Sequence, residues 1–116
     1  MSSEKRQVLS VVKSATGDLV IIGEAEITHA LAKHFRIPKV KLLEIVEQVL
    51  IDPTTVYLEE AKGVTKIKSY YLFYRLDDGG YLVAVVKVLP EGAFFSSVYP
   101  TGPDIRHSHQ KMKRIK

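Results

Sequence analysis

The chain has 116 residues, 46% of them apolar and 26% charged, with a formal charge of +4 and an isoelectric point near 9.3. That length suits one domain with a single core and no staples, and the surplus of cations is a mild invitation to polyanions. The absence of cysteine excludes a disulfide framework, a thiolate nucleophile and a cysteine-ligated metal, and no run approaches the ~20 apolar residues that span a bilayer.

Residues 1–7 (MSSEKRQ) are polar and lack the apolar core of a secretory signal, so a cytoplasmic protein without a membrane partner is expected. Residues 8–14 (VLSVVKS) and 18–23 (DLVIIG) flank a Thr16-Gly17 turn and read as a hairpin, although Val8, Val11 and Val12 also fit a helical face. Residues 24–35 (EAEITHALAKHF) form a helix candidate. At about 100° per residue, Ile27, Ala30, Leu31 and Phe35 share one side, His34 falls inside that arc, and His29 and Lys33 lie opposite. Pro38 suits the first turn of a second helix over 39–51 (KVKLLEIVEQVLI). Its apolar stripe of Leu42, Leu43, Ile45, Val46, Val49 and Leu50 marks it as scaffold.

Asp52-Pro53 ends that helix, and residues 54–59 (TTVYLE) read as a strand. Residues 66–101 then hold three β-branched and aromatic runs, separated by Asp77-Asp78-Gly79-Gly80 and Pro90-Glu91-Gly92. This is the pattern of an antiparallel meander. The expected fold is therefore α+β, with two N-terminal helices packed on a twisted antiparallel meander of four to six strands. Residues 1–103 form the domain, and 104–116 (DIRHSHQKMKRIK) form a basic tail with too few large apolar residues to pack as an element.

No GxGxxG, Walker or GxSxG motif is present, nor the HxxxH of a zincin. His29 and His34 are roughly 140° apart on a helix, so they cannot ligate one ion from the same face. His107 and His109 lie in the tail with no carboxylate or thiol beside them, so no metal or cofactor is expected. What remains suits metal-free phosphoryl chemistry on RNA. A neighbouring 2′-hydroxyl needs a base, the leaving 5′-oxygen needs an acid, and the phosphorane needs cations. Histidine titrates in the required range. Arg75 and Lys87 supply charge within the meander, and Ser97 and Tyr99 supply hydroxyls. Tyr70, Tyr71, Phe73 and Tyr74 offer faces for stacking unpaired bases.

Plainer readings stand beside these. His34 suits an interior histidine, His29 with Lys33 a solvated face, Arg75 an exposed charge next to a turn, and Lys87 a snorkelling strand residue. Tyr71 and Phe73 suit a core. Pairing Leu76 with Tyr81 would put Arg75 and Lys87 on opposite sheet faces, which makes them competitors for one site.

The order of these features resembles the small phage- and toxin-associated nuclease domains of the barnase–EndoU–colicin–RelE group. The resemblance spans residues 23–101 and rests on THALAKHF, VEQVLIDP and the meander YYLFYR, YLVAVVKV and FFSSVYP. It implies metal-independent endoribonuclease activity on tRNA or mRNA, with a cognate inhibitor or antitoxin protein as partner. The group's helix histidines fall at His29 and His34, its strand cation at Arg75 or Lys87, and its last-strand hydroxyls at Ser97 and Tyr99. Position 97 is serine where threonine is common, and the histidine spacing would let only one of the pair face the sheet. A non-catalytic RNA-binding or protein-interaction module is the alternative on the same fold.

Overall fold

A computed structural model describes residues 7–60, 67–103 and 112–115. The elements run β1 (Val8–Lys13), β2 (Leu19–Gly23), α1 (Glu24–His34), α2 (Lys39–Ile51), β3 (Thr55–Glu60), β4 (Lys68–Arg75), β5 (Tyr81–Leu89), β6 (Gly92–Thr101) and β7 (Lys113–Arg114). They form an α+β protein in which the strands of the described residues make one seven-stranded sheet, ordered β1-β2-β6-β5-β4-β3-β7.

Two expectations about this architecture are corrected. The helices are not N-terminal, because the β1–β2 hairpin precedes them. Nor is the sheet a simple antiparallel meander. Strands β3 to β6 do form one, but β2 joins its last strand in parallel, pairing Val20 with Ala93 and Ile21 with Phe94. The hairpin thereby covers part of an edge of β6 that would otherwise expose unpaired backbone groups. At the opposite edge, Lys113–Arg114 pair with Leu58 and Tyr57, and the Ile115 N–H donates to the Val56 carbonyl. These residues were expected to form no element. Two charged residues suffice for this strand because backbone pairing, not side-chain burial, holds it. His107 and His109 lie outside the described residues.

Both helices pack on one face of the sheet. The core there joins Ile27 and Ala30 of α1 and Leu42, Val46, Val49 and Leu50 of α2 to Val20, Ile22, Leu72, Ala84, Val86, Phe95 and Val98. Tyr70 and Tyr74 pack against the same cluster. On the other face Phe73, Val83 and Val85 are buried beneath Tyr57, Tyr71, Tyr81 and Tyr99. Phe73 meets Tyr57 and Tyr81 edge-on, at centroid distances of 5.6 and 5.9 Å, the arrangement aromatic quadrupoles favour. Phe73 is therefore core and offers no stacking surface.

Two turns set the meander's registers. Residues 76–80 form a five-residue loop closed by Leu76 N–H to the Gly80 carbonyl and Gly79 N–H to the Leu76 carbonyl, with Gly79 at φ +92°. Arg75 thus pairs with Tyr81, one residue from the expected register. A one-residue slip turns every side chain of a strand to the other face. Arg75, Phe73 and Tyr71 consequently share a face with Tyr81, Val83, Val85 and Lys87. The second turn has two central residues, Pro90 and Glu91, between Leu89 and Gly92.

The two buried phenylalanines test this two-sided packing. Phe95→Ala, under the helices, and Phe73→Ala, under the tyrosines, should each lose about 3–5 kcal/mol of unfolding free energy in urea denaturation. A loss below about 1 kcal/mol for Phe73→Ala would contradict a packed second core.

Candidate functional site

The candidate site arises where β2 leaves β6. The two strands pair at only two positions, after which Gly23 carries the chain into α1. A side chain at position 23 would overlap Glu26 Oε1, so glycine leaves room for this carboxylate to fold back toward the strand end. From Phe95 onward α1, not β2, lies along β6.

A β-bulge shapes the strand at this point. Val85 pairs with Ser97 but Val86 pairs with Phe95, so Ser96 is the extra residue. A bulge re-aims side chains and increases the local twist. Without it, residues beyond 95 would have the opposite parity. With it, Ser97 and Tyr99 oppose Val85 and Val83 on the face that also carries Lys87, while Val98 joins the core under the helices.

Between α1 and β6 lies a cleft of about 210 Å³ bordered by Glu26, His29, Lys33 and His34 from the helix and by Ser97 and Tyr99 from the strand. Taking about 100° per residue, His29 and His34 stand about 140° apart with Glu26 and Lys33 between them. The expectation that only one histidine could face the sheet fails for this reason: the arc between the two is what faces β6, and the histidines flank it. His34 is exposed, not interior. Its ring lies 6.3 Å from that of Tyr99, tilted by 50°, and 6.2 Å from that of Phe35 in an edge-on contact.

A second cavity, of about 190 Å³, adjoins the first and shares Glu26 with it; Ile21, Gly23, Lys87, Phe94 and Ser96 also border it. Lys87 is exposed and belongs to this cavity, not to the cleft. Arg75 belongs to neither. It lies six residues along the β4–β5 ladder from the Ser69–Lys87 pair, about 20 Å away at strand spacing, and its N–H donates to Thr54 Oγ1. Lys87 and Arg75 therefore share a sheet face, contrary to the expectation that they oppose one another, and distance is what separates them.

The strand side of the cleft is a protonated phenol. Burial pushes Tyr99 above the ordinary tyrosine value, so at neutral pH its hydroxyl remains a hydrogen-bond donor. Tyr71, on the same face, is also raised, first by burial and then by the Glu59 carboxylate, to which its hydroxyl donates at 3.2 Å, with a smaller contribution from Tyr99. Among the described residues no three His, Asp or Glu side chains are grouped to hold a metal ion.

Chemically, the cleft combines two imidazoles, an ammonium, a carboxylate and two hydroxyls around one open space. The sequence reading missed Glu26 and treated Lys33 only as part of a solvated face. Their signal is the spacing of Glu26, His29 and Lys33, three and seven residues along one helix stripe. Comparison with models of protein families, with characterised proteins and with solved structures gives no match.

The tyrosine shifts carry a pH prediction. A phenol whose folded value exceeds its unfolded value of about 10 contributes stability that is intact below that pH and is lost as pH rises through the folded value. Ultraviolet titration should show Tyr71 and Tyr99 ionising after the model phenol. Glu59→Gln should lower the Tyr71 midpoint and leave Tyr99 in place. A Tyr71 midpoint unmoved by Glu59→Gln would contradict the Glu59 contact.

Proposed function

We propose that this protein cleaves RNA without a metal ion, in the cleft between α1 and β6, by attack of a ribose 2′-oxygen on the adjacent phosphorus. One imidazole, of His29 or His34, takes the 2′-hydroxyl proton as the P–O2′ bond forms. The other gives a proton to the 5′-oxygen as the P–O5′ bond breaks. The products are a 2′,3′-cyclic phosphate and a free 5′-hydroxyl, and no redox partner or further reactant is required. Lys33 neutralises the charge that gathers on the phosphorane. Ser97 and Tyr99 donate hydrogen bonds to its non-bridging oxygens, which fixes the phosphate for in-line attack.

The observation that carries this reading is the convergence of His29, Lys33 and His34 with Ser97 and Tyr99 on one cleft. Two histidines on opposite flanks of a phosphate-sized space suit a reaction that needs a base on one side and an acid on the other. The resemblance to the barnase–EndoU–colicin–RelE group supports the same chemistry, and with it a cognate inhibitor or antitoxin protein.

A second reading, a non-catalytic RNA-binding module, is favoured by the opposite feature. Tyr57, Tyr71, Tyr81 and Tyr99 frame the sheet face opposite α1 and α2, and Arg75 and Lys87 project from that same face. Aromatic rings among cations suit single-stranded bases and phosphates.

Incubation of purified protein with total RNA in excess chelator separates the two. Cleavage should leave cyclic phosphate ends, and His29→Ala and His34→Ala should each slow it by about 10²–10⁴-fold. Binding with a steep salt dependence but no product, or cleavage unaffected by either substitution, would sink the catalytic reading.

A further inference from the structure

The bulge at Ser96 does more than set parity. It assigns two successive hydroxyls to two adjoining cavities, Ser97 to the α1–β6 cleft and Ser96 to the cavity that holds Lys87. The cavities share one side chain, Glu26. Along this groove the order of charge is Lys33, then Glu26, then Lys87: a cation at each end and a carboxylate in the middle. Glu24, the other acid in the first turn of α1, is engaged by Lys39 at 2.8 Å. The Lys87 ammonium has no ion-pair partner among the described residues.

A single phosphate would need only one of these cavities, and the carboxylate between them repels any anion placed over it. A ligand that matches the whole groove has an anion at each end and an uncharged centre. One nucleotide unit of RNA has this form, with a 5′-phosphate, an uncharged ribose, and a 3′-phosphate.

We propose that the Lys87–Ser96 cavity is a second phosphate subsite, for the 5′-phosphate of the nucleotide whose 3′-phosphate occupies the cleft. This rests on the reading of the cleft as the site of RNA cleavage. Lys87 then contacts the phosphate next to the scissile one, and Ser96 donates a hydrogen bond to it. Glu26 lies beside the uncharged ribose and prevents the chain from shifting by one phosphate, because a shift would lay an anion over its carboxylate. The protein recognises RNA here as a ribonucleoside 3′,5′-bisphosphate, whatever the base.

Calorimetric titration with adenosine 3′,5′-bisphosphate, adenosine 3′-monophosphate and inorganic phosphate tests this on the full chain. The bisphosphate should bind about tenfold more tightly than the monophosphate, the increment expected for one charge-assisted contact, and inorganic phosphate should bind most weakly. In Lys87→Ala, and in Lys87→Gln, which keeps half of the methylene stem without the charge, the two nucleotide affinities should converge. In Lys33→Ala both should weaken together. Equal affinities in the unmodified protein, a ratio unchanged by Lys87→Ala, or inorganic phosphate competing as well as the bisphosphate would overturn the second subsite while leaving the cleft standing. Failure of both nucleotides to bind would overturn the cleft reading and this inference with it.

Discussion

The short parallel contact between β2 and β6 is the constraint on which the rest of this structure depends. It extends over two residue pairs, Val20 with Ala93 and Ile21 with Phe94, and then stops. Had β2 continued, the edge of β6 would be sealed by strand pairing, and α1 would lie elsewhere. Because Gly23 ends the strand and starts the helix without a linker, α1 is delivered to the place β2 leaves. The polar arc of a helix and the bulged half of a strand then face each other across a gap.

Burial on the two faces of the sheet follows from that placement. The helix side has a conventional apolar core, with Leu42, Val46 and Leu50 of α2 against Leu72, Ala84 and Val86. Among the described residues the other side has no helix, yet Phe73 and Val83 are as inaccessible as any residue in the main core. Tyrosines accomplish this because each presents an apolar ring inward and a hydroxyl outward. Tyr99 belongs to both regions, packing with the second core while its ring approaches His34. A substitution at Tyr99 therefore disturbs site and scaffold together, and its effects on activity need a stability measurement beside them.

Much of the fold was legible in the sequence, and the misses have physical causes. Helix α2 spans the residues its apolar stripe marks, and α1 ends one residue early, because 3.6-residue periodicity is a local property. The turns at Thr16-Gly17 and Gly79-Gly80 were readable from glycine, which alone adopts φ near +90° freely there. Register was not readable: Asp77-Asp78-Gly79-Gly80 permits loops of four or five residues, and the difference reverses β4 against β5. The parallel contact of β2 with β6 joins residues more than 70 positions apart, and no local pattern encodes it. Of the site residues named from sequence, His29, His34, Ser97 and Tyr99 come together, Lys87 lies in the next cavity and Arg75 stands apart. The bulge decided this outcome, and the dipeptide Ser96-Ser97 gives no sign of which serine will be the extra one.

The central claim is that RNA occupies the α1–β6 cleft in preference to the tyrosine face of the sheet. Amide chemical-shift mapping with a short oligoribonucleotide carrying 2′-O-methyl groups, which cannot be cleaved, tests it most directly. The account predicts that the largest shifts fall on residues 26–34 and 95–99. Shifts centred instead on Tyr57, Phe73 and Tyr81, with residues 26–34 unmoved, would contradict it.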